Sequence, residues 1–194
     1  MIEKIREELK SKLSEKRFAH TVGVAETAVK LAEAFGGDTK KVYIAGLLHD
    51  MAKELTLEEM NNLTQDVEID SYMRTSKALL HGAAGAVLAK QTFDVDDEIY
   101  NAIFYHTTGR ENMTLTEKII FVSDMAEPSR NFKGIEKLRE IMLSDLDDAV
   151  ITAADLTLSY LIENRKNIYP LTVISRNYII KEKNSGNSIE SVVK

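Results

Sequence analysis

All four histidines of the sequence stand where helical spacing would turn them inward. His20 is followed at i+3, i+4 and i+7 by Gly23, Val24 and Thr27, the positions that share its helix face. His49 closes the series Val42, Ala45, Gly46; His81 opens the series Ala84, Gly85, Leu88; and His106 closes Ile99, Ala102, Ile103. Each histidine therefore lies on a small or apolar stripe. Taken singly, each reads as a core histidine bonded to a backbone carbonyl. Four buried imidazoles need four sets of partners, whereas one shared ion satisfies several together, and neutral imidazole is a common metal ligand.

Two aspartates join them. Asp50 follows His49 in the otherwise apolar run Ala45-Gly-Leu-Leu-His-Asp-Met-Ala, and Asp124 lies four residues after Ile120 and three after Phe121. A buried carboxylate without a cation costs several kcal/mol or takes up a proton, and a divalent metal removes that cost. With no cysteine in the chain, any ion must be held by nitrogen and oxygen. That donor set suits iron, manganese, cobalt or zinc better than calcium.

The elements that must position these groups read as helices, because apolar residues recur at helical spacing and only nine Gly and two Pro interrupt them. Ile2, Ile5, Leu9 and Leu13 mark a first helix; a second is expected over about 14–35, ended by Gly36-Gly37, and a third from Asp38 or Thr39 to about Ala52. Thr56 with Glu59 and Thr114 with Glu117 have capping-box spacing. Further helices are expected at about 78–91, 96–106, 114–123, 134–143 and 146–164, and Pro170 suits the first turn of a last one reaching about Lys183. The composition of 184–194 suggests a flexible tail after a single domain over 1–183. The seven methionines and Phe104, Tyr105 and Phe121 read as core at this spacing, not as a cofactor cradle.

The bulk numbers narrow the function classes. A chain of 194 residues needs no disulfide to stabilise its core. Its net charge of −6 argues against a nucleic-acid surface but not against small phosphate ligands, which a metal and a few Arg or Lys can neutralise. No apolar run approaches the ~20 residues of a membrane span, and the charged N-terminus lacks the apolar core of a signal peptide. The expectation is a cytoplasmic protein without membrane or nucleic-acid partners; whether it forms a homodimer is left open.

The ordered set His20…His49-Asp50…His81…His106…Asp124 resembles the HD-domain superfamily of metal-dependent phosphohydrolases, all-α helical bundles. Within it, the chain is most similar to the bacterial HD-type symmetrical diadenosine tetraphosphatases. The matching segments are Arg17-Phe-Ala-His-Thr-Val-Gly-Val, Gly46-Leu-Leu-His-Asp-Met-Ala-Lys53, His81-Gly, His106-Thr-Thr-Gly109, Ser123-Asp-Met-Ala-Glu-Pro-Ser-Arg130 and Tyr169-Pro-Leu-Thr…Ser-Arg-Asn177. After Pro170 the chain departs from the pattern, with Leu171 and Val173-Ile174-Ser175 in place of more polar residues.

The resemblance implies a divalent transition metal, commonly iron, held by His20, His49, Asp50 and Asp124, with Asp50 also orienting water. His81 and His106 are then expected to serve the phosphate chain, with a second metal as the rival role. Lys53, Arg130, Thr107 and Thr108 are candidate phosphate contacts, although Lys53 also reads as a solvated helix end. The resemblance further implies nucleotide contact over Pro170, Leu171, Thr172, Val173, Ile174 and Ser175, where a helix N-terminus favours anions. The implied substrate is a dinucleoside polyphosphate, cut symmetrically to two nucleoside diphosphates. The rivals are another nucleotide phosphohydrolase, such as a nucleotidase or guanosine tetraphosphate hydrolase, and a nucleotide sensor without turnover; an RNA phosphodiesterase is disfavoured by the acidic balance.

Overall fold

The structure is a computed structural model; it describes the backbone of residues 1–192 and the side-chain surroundings of residues 1–185. Among the described residues there are helices and no strands: α1 (Ile2–Lys12), α2 (Glu15–Phe35), α3 (Thr39–Leu48), α4 (Leu57–Leu63), α5 (Ser71–Thr75), α6 (Lys77–Phe93), α7 (Asp97–Tyr105), α8 (Leu115–Ala126), α9 (Ile135–Ile141), α10 (Leu146–Glu163) and α11 (Pro170–Val192). The all-α architecture expected from periodicity is the one observed.

Local chemistry explains most boundaries. Asp38 accepts hydrogen bonds from the Lys40 and Lys41 amides to start α3, and Asp96 accepts from Ile99 to start α7. Both expected capping boxes are formed, Thr56 with Glu59 and Thr114 with Glu117. Pro170 is the first residue of α11.

Three expectations need correction. α3 ends at Leu48 and not near Ala52; from there the chain closes tight turns, with Met51 N donating to Leu48 O at 3.0 Å and Lys53 N to Asp50 O at 2.9 Å. The cause is local, since the His49 ring takes the Gly46 carbonyl that the next helical amide would have used. Secondly, α5 was not foreseen, because five residues are too few to show a period; Asp70 starts it by accepting from Met73 N at 2.7 Å. Thirdly, α11 ends at Val192 and not at about Lys183, running into the 184–194 segment. The lone Gly186 costs a helix only about 1 kcal/mol relative to alanine and does not end it. The last two positions of that segment lie outside the described residues.

α2 packs against α3 and α8, α7 against α6 and α8, and α10 against α8 and α11, around a core that includes Ile5, Leu9, Leu31, Leu47, Leu48, Ile103, Ile119 and Ile120. A smaller apolar cluster of Ala52, Met60, Met73, Leu80, Ala83 and Ala84 joins α4 and α5 to α6. At the α2–α3 contact the backbones nearly touch: a Cβ on Gly46 would lie 2.6 Å from Ala25 Cα. That approach brings the His49 turn beside His20. No described helix is long and apolar enough to cross a membrane.

Candidate metal centre

All four histidines are buried and converge, with neighbouring ring centroids 4.8–5.3 Å apart from His20 through His49 and His106 to His81. Two of them are held alike. His49 donates Nδ1–H to Gly46 O and His106 donates Nδ1–H to Ile103 O, each at 2.7 Å, so both present a bare Nε2. A third is fixed from the other side: His20 Nδ1 lies 2.9 Å from Glu127 Oε1, which leaves His20 Nε2 facing Asp124 Oδ1 at 3.0 Å.

The two aspartates lie between these rings. Asp50 Oδ2 is 3.5 Å from His49 Nε2 and 3.8 Å from His20 Nε2, and Asp124 Oδ1 is 3.6 Å from His49 Nε2. The other oxygen of Asp50 faces the opposite way, 3.1 Å from His81 Nε2 and 3.7 Å from His106 Nε2. One atom from each of His20, His49 and Asp50 falls within 4.8 Å of the others, and the same holds for Asp50, His81 and His106, and for His49, His106 and Asp124.

Whether this set fits an ion is decided by its orphans. His49 Nε2 is buried with no well-formed hydrogen bond, its carboxylate neighbours standing 3.5 and 3.6 Å away, and Asp50 Oδ1 meets only nitrogens that are poorly aligned to donate to it; a buried polar atom left unpaired costs about 1–3 kcal/mol. Both are ligand atoms aimed into the cluster. Imidazole nitrogen with carboxylate oxygen, each already oriented by a second group, is the donor set of a divalent metal site. The residues fit.

Electrostatics point the same way. Burial resists charge on Asp50 and Asp124, yet the neighbouring imidazoles, with Lys53 and Arg130, hold both carboxyls well below their ordinary range. Burial also opposes charge on His49, but Asp50 and Asp124 outweigh it and lift its pKa to about 9, so the two carboxylates favour a cation at Nε2, the place a proton and a metal ion would compete for. His106 is pushed down to about 3 by burial, then by His81 and His49, and burial lowers His81 as well. Ionised carboxylates therefore face neutral rings at His81 and His106.

Three cations ring the cluster. Arg17 donates to Asp50 Oδ2 at 2.7 Å and Arg130 to Asp124 Oδ1 at 2.7 Å, while Lys53 Nζ lies 3.0 Å from His81 Nε2 and 3.5 Å from Asp50 Oδ1. Lys53 thus turns into the cluster. Thr107 Oγ1 lies 3.1 Å from His106 Nε2, whereas the Thr108 hydroxyl is buried and donates to Gly109 O. Of the stretch at the start of α11, Thr172 lines the same cavity as Thr107, and buried Ser175 donates to Thr108 O at 3.0 Å, bracing the turn. Pro170 and Ile174 are exposed; Leu171 and Val173 are partly buried.

The sequence model of the HD domain matches residues 17–155. The chain belongs to the HD-domain family. Among HD-domain relatives, the symmetrical bis(5'-nucleosyl)-tetraphosphatase of Bacillus subtilis (strain 168) is 38% identical over 174 residues, covering 89% of this chain and 94% of that protein. Its namesake from Staphylococcus aureus (strain NCTC 8325 / PS 47) is 38% identical over 181 residues, covering 91% and 93%. A crystal structure from Clostridium acetobutylicum, described as a predicted HD superfamily hydrolase involved in NAD metabolism, superposes with a TM-score of 0.90 at 40% identity, over 94% of this chain and 98% of that one.

Sequence reasoning gave no role to two residues of this HD-domain centre, Arg17 and Glu127. Both carry a helical signal, since Arg17 stands three residues before His20 and Glu127 three after Asp124. Glu127 has room because a Cβ on Gly23 would lie 2.8 Å from its Oε2.

Proposed function

We propose that this HD-domain protein hydrolyses dinucleoside tetraphosphates symmetrically, giving two nucleoside diphosphates, with His20, His49, Asp50 and Asp124 holding a divalent metal. The observation that carries the reading is the orphaned His49 Nε2, bare and buried among three other ligand atoms, in a chain whose high-coverage relatives are named for this activity. Iron is the ion we favour, on the resemblance of the motif set. When bound, the metal lowers the pKa of a water towards neutrality and polarises a phosphoryl oxygen.

The side chains supply the rest. Asp50 orients the attacking water and receives its hydrogen bond at a carboxylate oxygen that is buried inside the cluster. Attack forms one P–O bond and breaks the central P–O–P bridge, with the second nucleoside diphosphate leaving as an anion. Arg17, Lys53 and Arg130 face that charge with partly exposed side chains, and guanidinium groups suit phosphate oxygens through paired N–H donors. Thr107 presents a hydroxyl beside them. The water's oxygen ends in one of the two products.

A second reading of His81 and His106 is favoured by geometry. Because His106 spends its one N–H on Ile103 O, its Nε2 has no hydrogen to offer a phosphate. A lone pair there, with His81 Nε2 at 2.9 Å and Asp50 Oδ1 turned towards both, favours a reading in which His81, His106 and Asp50 would hold a second ion.

The test is direct. Diadenosine tetraphosphate should yield two ADP, with label from oxygen-18 water in ADP, and chelation should stop turnover. ATP with AMP, or no turnover beside rapid hydrolysis of guanosine tetraphosphate or a nucleoside monophosphate, would move the protein to another phosphohydrolase branch. Metal analysis giving about one or about two ions per chain decides between the two readings of His81 and His106.

A further inference from the structure

A cavity of about 460 Å³ opens beside the metal centre, between the start of α6, the Thr107 turn and the α10–α11 connection. That volume falls within the ~300–1,000 Å³ typical of small-molecule sites. Its inner end is Thr107, the residue in contact with His106 Nε2. Leu79 and Leu161 give it apolar walls, and Tyr72 and Tyr169 line its far part. Their rings are nearly parallel, with centroids 5.9 Å apart and 15° between planes.

The aromatic pair is held in place. Tyr169 donates its hydroxyl to Asp70 Oδ2 at 2.5 Å, while Asp70 Oδ1 accepts from Met73 N at 2.7 Å. One carboxylate therefore fixes α5, which carries Tyr72, to the start of α11. Tyr72 is nonetheless 39% exposed, a large ring left partly uncovered at the rim of a cavity. Arg165, also in the lining, sits in a left-handed backbone at φ 51° that favours glycine. A cation is present there where the backbone alone would prefer no side chain.

We propose that Tyr72 is the base-stacking residue of the substrate, so that this cavity takes a purine nucleoside whose phosphates run past Thr107 to the metal centre. The inference rests on the proposed function and adds how the substrate class is chosen. An aromatic platform with apolar walls reads a base by its face, and face stacking tolerates variation at the base edge. A purine presents more ring area than a pyrimidine and is held more tightly. Arg165 adds a cation at the rim.

The experiment measures binding of ADP, UDP and inorganic diphosphate to the metal-loaded protein, together with KM and kcat on diadenosine tetraphosphate. The parent should bind ADP more tightly than UDP. Tyr72→Ala should weaken ADP binding and raise KM by roughly 5- to 100-fold, the loss of one stacked base. Diphosphate affinity and kcat should stay near parental values, and Tyr72→Phe should behave as the parent. Leu79→Trp, which narrows the cavity from its apolar wall, should likewise weaken ADP and spare diphosphate. Unchanged ADP affinity in both Tyr72→Ala and Leu79→Trp, or equal loss of ADP and diphosphate, overturns the inference while symmetrical cleavage by the parent still stands. Tyr72-dependent ADP binding in a parent that does not cleave the tetraphosphate upholds the site and removes the substrate reading instead.

Discussion

His49 and His106 are anchored identically, each ring donating Nδ1–H to the carbonyl three residues before it at 2.7 Å. Both stand at the C-terminal cap of a helix, α3 and α7, where the chain is leaving helical geometry. A ring that takes a carbonyl from its own helix both ends the helix and fixes its tautomer. The bare Nε2 atoms that make the centre are thus products of helix termination.

Removing a ligand and removing a surrounding cation should have different consequences. His49→Ala and Asp50→Ala should lose both metal and activity. Arg130→Ala and Lys53→Ala should keep the metal and lose roughly 100-fold in kcat/KM, the scale of one electrostatic contact to a developing charge. Metal content and kinetics on the same preparations check this; an Arg130→Ala protein without metal beside a metal-loaded His49→Ala protein would invert the assignment.

Glu127 is placed to act through His20 on a metal bound in the cluster. Its carboxylate, 2.9 Å from Nδ1, fixes the tautomer and orientation of the ring and leaves Nε2 turned into the cluster. Glu127→Gln should weaken metal binding by roughly 10-fold, at the low end of such outer contacts, with little change in helicity. Gly23→Ala should act in the same direction by pushing Glu127 aside, since its Cβ would lie 2.8 Å from Glu127 Oε2. Competition with a chromophoric chelator measures both, and parental affinity in both variants would exclude this role.

Gly46→Ala places a methyl 2.6 Å from Ala25 Cα and 2.9 Å from Ala25 N. Both contacts are backbone, so α2 and α3 must separate. The expected cost is about 1–3 kcal/mol, read as a fall in Tm of roughly 3–10 °C for a domain this size. Metal affinity should fall too, because the same contact sets His20 beside His49. A Tm equal to the parent's would show that the interface yields without cost.

Glu98 ties three helices: it accepts from Lys41 of α3 at 2.7 Å and from Thr116 of α8 at 2.5 Å, and itself lies on α7. Those bonds, Lys41 first, lower its pKa below the ordinary 4.5. A lowered carboxylate contributes stability above its unfolded value, and loses it as pH falls through the folded one. Glu98→Gln should therefore be less stable than the parent at neutral pH, by no more than about 1 kcal/mol for so exposed a pair. The gap should close below about pH 4.5. Denaturant unfolding of both proteins across that range checks the sign.

How much of this was legible beforehand depends on which residues carried the signal. The six ligand-type residues stood out because a polar group on an apolar stripe is a rare event, and burial of all four histidines follows from those stripes. Arg17 and Glu127 did not stand out, since charged residues are common on helices and only the partner across the fold gives them meaning; Glu127 meets His20 from 107 residues away. Tyr72 was hidden for a similar reason, on a helix of five residues whose place is set by Asp70 and Tyr169. At the C-terminus, turn-rich composition competed with helix continuation, and nothing in 184–192 breaks a helix strongly enough to stop it.

The histidines and aspartates of the centre are distributed over α2, the turn after α3, α6, the end of α7 and α8. A metal held among them would act as a cross-link between segments that are distant in the chain, present only while the metal is supplied. Ligand occupancy at 100 times the dissociation constant adds about 2.7 kcal/mol to the folded state. Under metal scarcity the chain should open more often at these helix contacts and be cut sooner by proteases. Metal supply would then govern how long each molecule lasts, as well as how fast it works.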